Sequence, residues 1–278
     1  MKIGHVKFIR PRNSKLNSLI KGYYVHSSSD PNFYSKITFY QNITTTISIY
    51  KNSITSSQER LRMQNYSNNN KFTSLLVGLV DKYQEVEFHG PLDRLAIVFY
   101  PGGINHFIKI PLSKLLKKHY SNFNYFDNAF ETFLPKVYDE PVLENKRDLL
   151  DSFFLNHFFL FNEPKLLEAI HILTTTNELI KVEELAKTIK LSRRTLLRKF
   201  KNHLGYTIEE YMSVIKFRKA LFNFQEKKSS KELIKIALES NYYDQADFNH
   251  HLKNRSGLTP KELFNQLNIV DDTLFWKL

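Results

Sequence analysis

The sequence contains no cysteine. Disulfides, thiolate zinc sites, iron–sulfur clusters and cysteine nucleophiles are therefore excluded. Long apolar runs are missing as well. FFLNHFFLF at 153–161 is the longest candidate and is too short to span a bilayer, so no membrane partner is expected. The first residues, MKIGHVKFIRPRNSK, carry charge where a secretion signal needs an apolar core, which points to a soluble cytoplasmic, nucleoid-associated protein. Acidic residues are the scarcer charge, 28 against 40 basic for a formal net of +12, a balance that favours a polyanionic partner, nucleic acid first and an acidic membrane surface second, without choosing between them.

What is present suffices for two folded domains. The 278 residues are 42% hydrophobic and 14% aromatic, which excludes wholesale disorder. Up to about residue 130 the pattern is one of strands. KITFYQNITTTISIYKNSITSS (36–57), YQEVEFHG and DRLAIVFYPGG (within 83–103) are rich in β-branched and aromatic residues with frequent alternation, and the last stops at Pro101-Gly102-Gly103. IPLSKLLKKHY (110–120) reads as a short helix. From 141 to 161 the spacing of Leu149, Leu150, Phe153, Phe154, Phe158 and Leu160 predicts a helix with a broad apolar stripe. That stripe must be buried within the chain or against a second copy. Asn162-Glu163-Pro164 breaks the helix, and Pro164 suits the first turn of the next. The expected fold class is thus α+β with two domains: a mostly-β sandwich or barrel over 1–140, a helical connector over 141–163, and an all-α domain over 164–278.

The all-α segment concentrates the charge: 181–261 holds 18 basic and 9 acidic residues, a net of +9. Within it, Val182, Leu185, Ala186 and Ile189 lie at helical spacing. After a short break Ser192 can cap a second helix whose buried side carries Leu196 and Phe200. The exposed side of that helix offers Arg193, Arg194, Leu197, Arg198 and Lys201. Two short helices with an arginine-rich second member form the pattern of a helix-turn-helix unit. The pattern repeats over 231–260. There Leu233, Ile236 and Ala237 precede a break, Asp244 caps, and Phe248 and Leu252 anchor a helix exposing Gln245, Ala246, Asn249, His250 and Lys253. Between the units, Thr207 and Glu210 form a capping box that opens a continuous helix. Gly205 and Gly257 fall at plausible helix ends.

The run ELAKTIKLSRRTLLRKFKNHLGYTIEEY, followed by ALFNF, IKIALESNYYDQADFNHHLK and GLTPKELF, closely resembles the AraC/XylS family of transcription regulators over roughly 165–265. The resemblance implies double-stranded DNA as partner, with Arg193, Arg194, Leu197 and Arg198 on the first reading helix and Gln245, Ala246, Asn249 and His250 on the second. It leaves RNA polymerase, a second copy and a small effector open as further partners. Three residues depart from the family pattern. Lys216 stands for an arginine on the linker helix, Asn241 for the turn glycine of the second unit, and His250 for an arginine. DRLAIVFYPGGINHFIKIPLSKL (93–115) resembles the N-terminal segment of a subset of these regulators, implying a cupin-like sensor or dimerisation domain. His89 and His106 flank the turn, but no His-x-His followed by glutamate accompanies them, so no metal and no other cofactor is expected. Phe39, Tyr40, Phe99 and Tyr100 either line a pocket or fill a core. No Ser/His/Asp or paired-carboxylate motif stands out, so the chain is not expected to be an enzyme. An enzyme with an appended DNA-binding domain and a ligand-independent DNA-binding regulator are the competing readings.

Overall fold

The computed structural model describes residues 4–57, 61–65, 71–80, 82–117, 120–176, 180–227, 233–266, 268–271 and 274–277. The first part runs β1 (His5–Ile9), α1 (Ser14–Asn17), β2 (Ile20–Ser28), β3 (Tyr34–Phe39), β4 (Thr45–Lys51), β5 (Ser53–Ser57), β6 (Leu61–Asn65), β7 (Phe72–Val77), β8 (Gln84–His89) and β9 (Leu92–Phe99). A 3₁₀ turn at Gly103–His106 leads to α2 (Leu112–Leu115), β10 (Tyr120–Asn122), α3 (Asp127–Asp139) and α4 (Leu143–Asn156). The helical part comprises α5 (Pro164–Thr175), α6 (Val182–Thr188), α7 (Arg193–Leu204), α8 (Ile208–Lys227), α9 (Leu233–Glu239), α10 (Gln245–Ser256) and α11 (Pro260–Gln266). A hairpin of β11 (Asn268–Asp271) and β12 (Leu274–Lys277) follows.

Two six-stranded sheets form the N-terminal layer, in the orders β1-β2-β9-β4-β7-β10 and β11-β12-β3-β8-β6-β5. The central strands β4 and β9 of the first sheet are buried on both faces, although the alternation in their sequence suggested half-buried strands. On β9, Leu95, Ile97 and Phe99 join the cluster that packs under α3 and α4, whereas Arg94, Ala96 and Val98 face a cavity. On β4, Ile47 and Ile49 take the first side, and Thr46, Ser48 and Tyr50 the second. Pro101-Gly102-Gly103 behaves as its composition requires. Gly102 is left-handed at φ 79°, and a Cβ on Gly103 would come within 2.1 Å of the Leu19 carbonyl oxygen.

Two helix extents need correction, and two details add to the expected architecture. The helix expected to run to 161 stops at Asn156, where the His157 ring bonds the Phe153 carbonyl at 2.8 Å, and the next residues turn past His106. Leu160 consequently leaves the stripe and is 75% exposed. The helix expected over 110–120 is reduced to the single turn α2, and residues 118 and 119 lie outside the described ones. The β-rich N-terminal part also carries α3, whose buried Phe130, Leu134 and Val137 cover the first sheet. The all-α description holds from 164 to 266, after which the terminal hairpin pairs with β3 of the second sheet, Trp276 opposite Phe39. The apolar stripe of α4 is internal: Leu150, Phe153 and Phe154 are buried in the same cluster as the first sheet.

Candidate nucleic-acid interface

Each of the two helix pairs has its own core. Leu185, Ala186, Ile189, Leu196 and Phe200 are buried together with α5 in the first. Ile236, Ala237, Phe248 and Leu252 are buried together with Phe217 and Leu221 of α8 in the second. The caps are those the sequence calls for. Ser192 Oγ accepts from Thr195 N at 3.2 Å, and Asp244 Oδ1 accepts from Asp247 N at 2.7 Å. Thr207 and Glu210 satisfy one another's backbone N–H groups at the start of α8, at 2.7 and 3.1 Å. Helices α7 and α10 both end on left-handed glycines, Gly205 and Gly257. Within the units, left-handed turns fall on Lys190 (φ 56°) and Asn241 (φ 63°). Asparagine is among the side chains that tolerate this region best.

This framework exposes one face of each second helix. Arg194, Arg198 and Lys201 are exposed on α7, with Leu197 half-buried between them. Gln245, Ala246, Asn249, His250 and Lys253 are all exposed on α10, where the His250 ring is 3.1 Å from Asn254 Nδ2. Arg193 is also exposed, but it is engaged: its Nε lies 2.8 Å from Glu183 Oε1, and an Nη lies 3.9 Å from Glu209. Sequence reasoning missed that engagement, and it missed Tyr243. This side chain is 90% exposed immediately before the Asp244 cap, an uncommon setting for a tyrosine. Lys199 is withdrawn from the exposed set by its ion pair with Glu163 in the connector, where His203 also lies 3.5 Å away. Burial lowers the pKa of His203, against the pull of Glu163.

Helix α8 carries both units. Its 20 residues extend about 30 Å at the usual rise, close to the roughly 34 Å repeat of one duplex face. Both units also touch the sheet domain. Asn105 Nδ2 donates to the His203 carbonyl at 3.0 Å, and a Cβ on Gly78 would fall 1.6 Å from the Tyr206 hydroxyl. Gln41 Nε2 and the Tyr83 N–H both donate to the Arg255 carbonyl, at 2.9 and 3.1 Å, and Tyr40 packs 6.3 Å from Phe217. Elsewhere, His106 stacks on Phe158 with its Nδ1 3.3 Å from the Phe159 carbonyl, and His89 lies 3.4 Å from Glu87. Among the described residues there is no group of three His, Asp or Glu able to hold a metal.

Two capped helix pairs on one long helix, each with an exposed polar second helix, define a double helix-turn-helix DNA-binding domain. The helical domain is similar to those of the AraC/XylS family of transcription regulators. A family described as helix-turn-helix domain matches residues 185–266, and a domain of unknown function, DUF6597, matches residues 8–121. The HTH-type transcriptional activator RhaS of Mannheimia succiniciproducens is 37% identical over 81 residues, 29% of this chain and 30% of that one. The chain thus spans less than a third of the curated relative it matches. An AraC-type regulator structure from Chromobacterium violaceum is 28% identical with TM-score 0.34, over 37% of this chain and 91% of that one. Apo ToxT K231A from Vibrio cholerae is 11% identical with TM-score 0.40, over 94% of this chain and 96% of that one.

Proposed function

We propose that this protein is a sequence-specific DNA-binding transcription regulator in which residues 164–278 bind DNA and residues 1–140, through the connector at 141–163, control that binding. The observation that carries the reading is the pair of exposed faces on α7 and α10, in a segment of net charge +9 over 181–261. On α7, Arg194 and Arg198 suit guanine edges. On α10, Gln245 and Asn249 suit adenine. Ala246 and Leu197 offer apolar contact to thymine methyl groups, while Lys201 and Lys253 suit phosphates. Arg193, through its ion pairs, positions α7 between α6 and α8. Control by the sheet domain is supported by its contacts with both units, because whatever shifts the sheet domain against α8 also shifts the reading helices.

The test is binding of the full chain to duplex DNA selected from a random pool, measured across salt concentrations. Each neutralised phosphate adds about 0.9 to the slope of log affinity against log salt. A slope of several units with a selected consensus supports the reading. A slope near zero, or no enrichment of any sequence, defeats it.

A further inference from the structure

The two helix pairs differ by one residue at the turn. In the first, the Lys190 N–H returns to the Lys187 carbonyl at 3.0 Å and the Leu191 N–H to the Ala186 carbonyl at 2.9 Å. In the second, the Asn241 N–H returns to the Leu238 carbonyl and the Tyr242 N–H to the Ala237 carbonyl, both at 3.0 Å. Lys190 therefore matches Asn241, both left-handed, and Leu191 matches Tyr242. Ser192 caps α7 directly after Leu191, whereas Tyr243 intervenes before Asp244 caps α10. The added residue is the one with the exposed ring: Tyr242 is 3% exposed and Tyr243 90%. Among the described residues the Tyr243 side chain has no hydrogen bond and no ring contact. Its backbone is nonetheless held. The Tyr243 N–H donates to Asp247 Oδ2 at 3.3 Å, and the preceding Tyr242 ring packs against Phe248 and His251 with centres 5.1 and 5.5 Å away. A braced turn thus holds the ring out into solvent.

A tyrosine exposed to this degree has an apolar ring and a hydroxyl that nothing within the chain uses. In a helix-turn-helix unit the first helix crosses the DNA backbone and the second enters the major groove. The turn between them therefore lies at the wall of the groove, among phosphates. The second unit has fewer cations of its own to hold it there. Counted from the caps, Ala246 and His250 stand where α7 has Arg194 and Arg198. We propose that Tyr243 is a further DNA-contacting residue, its hydroxyl donating to a phosphate at the wall of the groove that α10 enters and its ring lying against the adjoining sugar. This rests on the reading that residues 164–278 bind DNA, and it names the contact that anchors the second unit. Phosphate contacts of this kind fix the register of a reading helix without reading a base.

The test uses the full chain as wild type, Tyr243→Phe and Tyr243→Ala, with the duplex selected from a random pool and a scrambled duplex. Because the side chain packs against nothing, both variants should keep the wild-type melting temperature. Tyr243→Phe should lose about tenfold in affinity for each duplex, the worth of a hydrogen bond to a charged group, and Tyr243→Ala at least as much. The slope of log affinity against log salt should stay as in wild type, because a phenol, unlike lysine or arginine, displaces no counterion. Wild-type affinity of Tyr243→Phe overturns the phosphate contact, even where Tyr243→Ala binds less well. A loss confined to the selected duplex overturns it too, since that marks a base contact, and so does a lowered melting temperature, which would place the ring inside the fold. If the wild type itself enriches no sequence and shows no salt slope, the regulator reading fails, and the contact fails with it.

Discussion

Lys216 Nζ lies 3.0 Å from Asp247 Oδ2 and 4.0 Å from the centre of the Tyr242 ring, fastening α8 to the first turn of α10. Asp247 also accepts from the Tyr243 N–H at 3.3 Å, so one carboxylate joins the carrier helix, the turn and the reading helix. Beneath it, His251 is held by the Tyr242 hydroxyl at 2.7 Å and by Ser213 Oγ at 2.8 Å. Burial and then the neighbouring Arg255 bring His251 down to about 4, so it is neutral at physiological pH. The second unit is thus oriented on α8 by a polar network as well as by its apolar core.

The Lys216–Asp247 pair should show a pH-dependent contribution. Burial works to raise the Asp247 pKa, but the hydrogen bonds from Lys216 and Tyr243 N–H outweigh it, and the carboxyl sits below its ordinary 3.8. A lowered folded-state pKa means that stability is fully present above the unfolded value and is lost as pH falls through the folded one. Lys216→Met should therefore lower the melting temperature at neutral pH and have progressively less effect below about pH 4. Because Asp247 is well exposed, the contribution is small, about 0.5 kcal/mol. A loss that is the same at both extremes would show that the lysine acts through its stem on Tyr242 rather than through its charge.

The turn of the second unit gives a test of backbone strain. Asn241 holds φ 63°, a conformation that costs side chains with a branched Cβ most. Asn241→Gly should leave stability unchanged or raise it slightly, whereas Asn241→Val should lower it by about 1–2 kcal/mol. Chemical denaturation of the three proteins measures this. Equal stability of the glycine and valine variants would mean that the turn rearranges freely.

Phe153 and Phe154 separate internal packing from pairing of two chains. Phe154 is fully buried, with its ring 5.0 Å from Phe107 and 5.6 Å from Phe99, and Phe153 stacks on Phe133 at 4.4 Å. Phe154→Ser should destabilise the fold by about 3–5 kcal/mol, the range for deleting a buried phenylalanine ring. Unfolding measured alongside mass in solution is the check. A stable, folded variant whose only change is loss of a dimer would place these rings at an interface instead.

Local chemistry explains why much of the helical domain was legible in the sequence. Ser192, Asp244 and the Thr207–Glu210 box depend on neighbours within three residues, and all occupy the caps their types suggest. The strands of the first sheet were legible from their β-branched and aromatic content, but the burial of both faces of β9, one packed and one facing a cavity, was not. Arg94 sits in a sequence context, DRLAIVF, that reads as a strand start. That it lines one cavity with Arg218 depends on how the sheets pack against α8. The same holds for Lys199, which Glu163 captures from the connector. The terminal hairpin joins β3 across nearly the whole chain, and no local pattern encodes that pairing.

The arginines of α7 provide the most direct test of the DNA interface, because the structure separates them by engagement. Arg194 and Arg198 are exposed, while Arg193 lies in contact with Glu183 and near Glu209, so its guanidinium is partly committed to holding α7 against α6 and α8. A bidentate arginine–guanine contact discriminates by roughly 1–3 kcal/mol against the wrong base, whereas a phosphate contact weakens all sequences alike. Arg194→Ala and Arg198→Ala should therefore lower affinity for the selected site about tenfold or more while changing affinity for unrelated duplex far less. Arg193→Ala should show a smaller loss that is shared between the two duplexes, because it releases the helix rather than a base contact. Competition binding with the selected site and a scrambled duplex, at fixed salt, measures all three. If Arg194→Ala and Arg198→Ala weakened both duplexes equally and reduced the salt slope by about one each, those residues would be phosphate clamps. Sequence reading would then rest on the remaining exposed positions, above all Gln245 and Asn249 of α10.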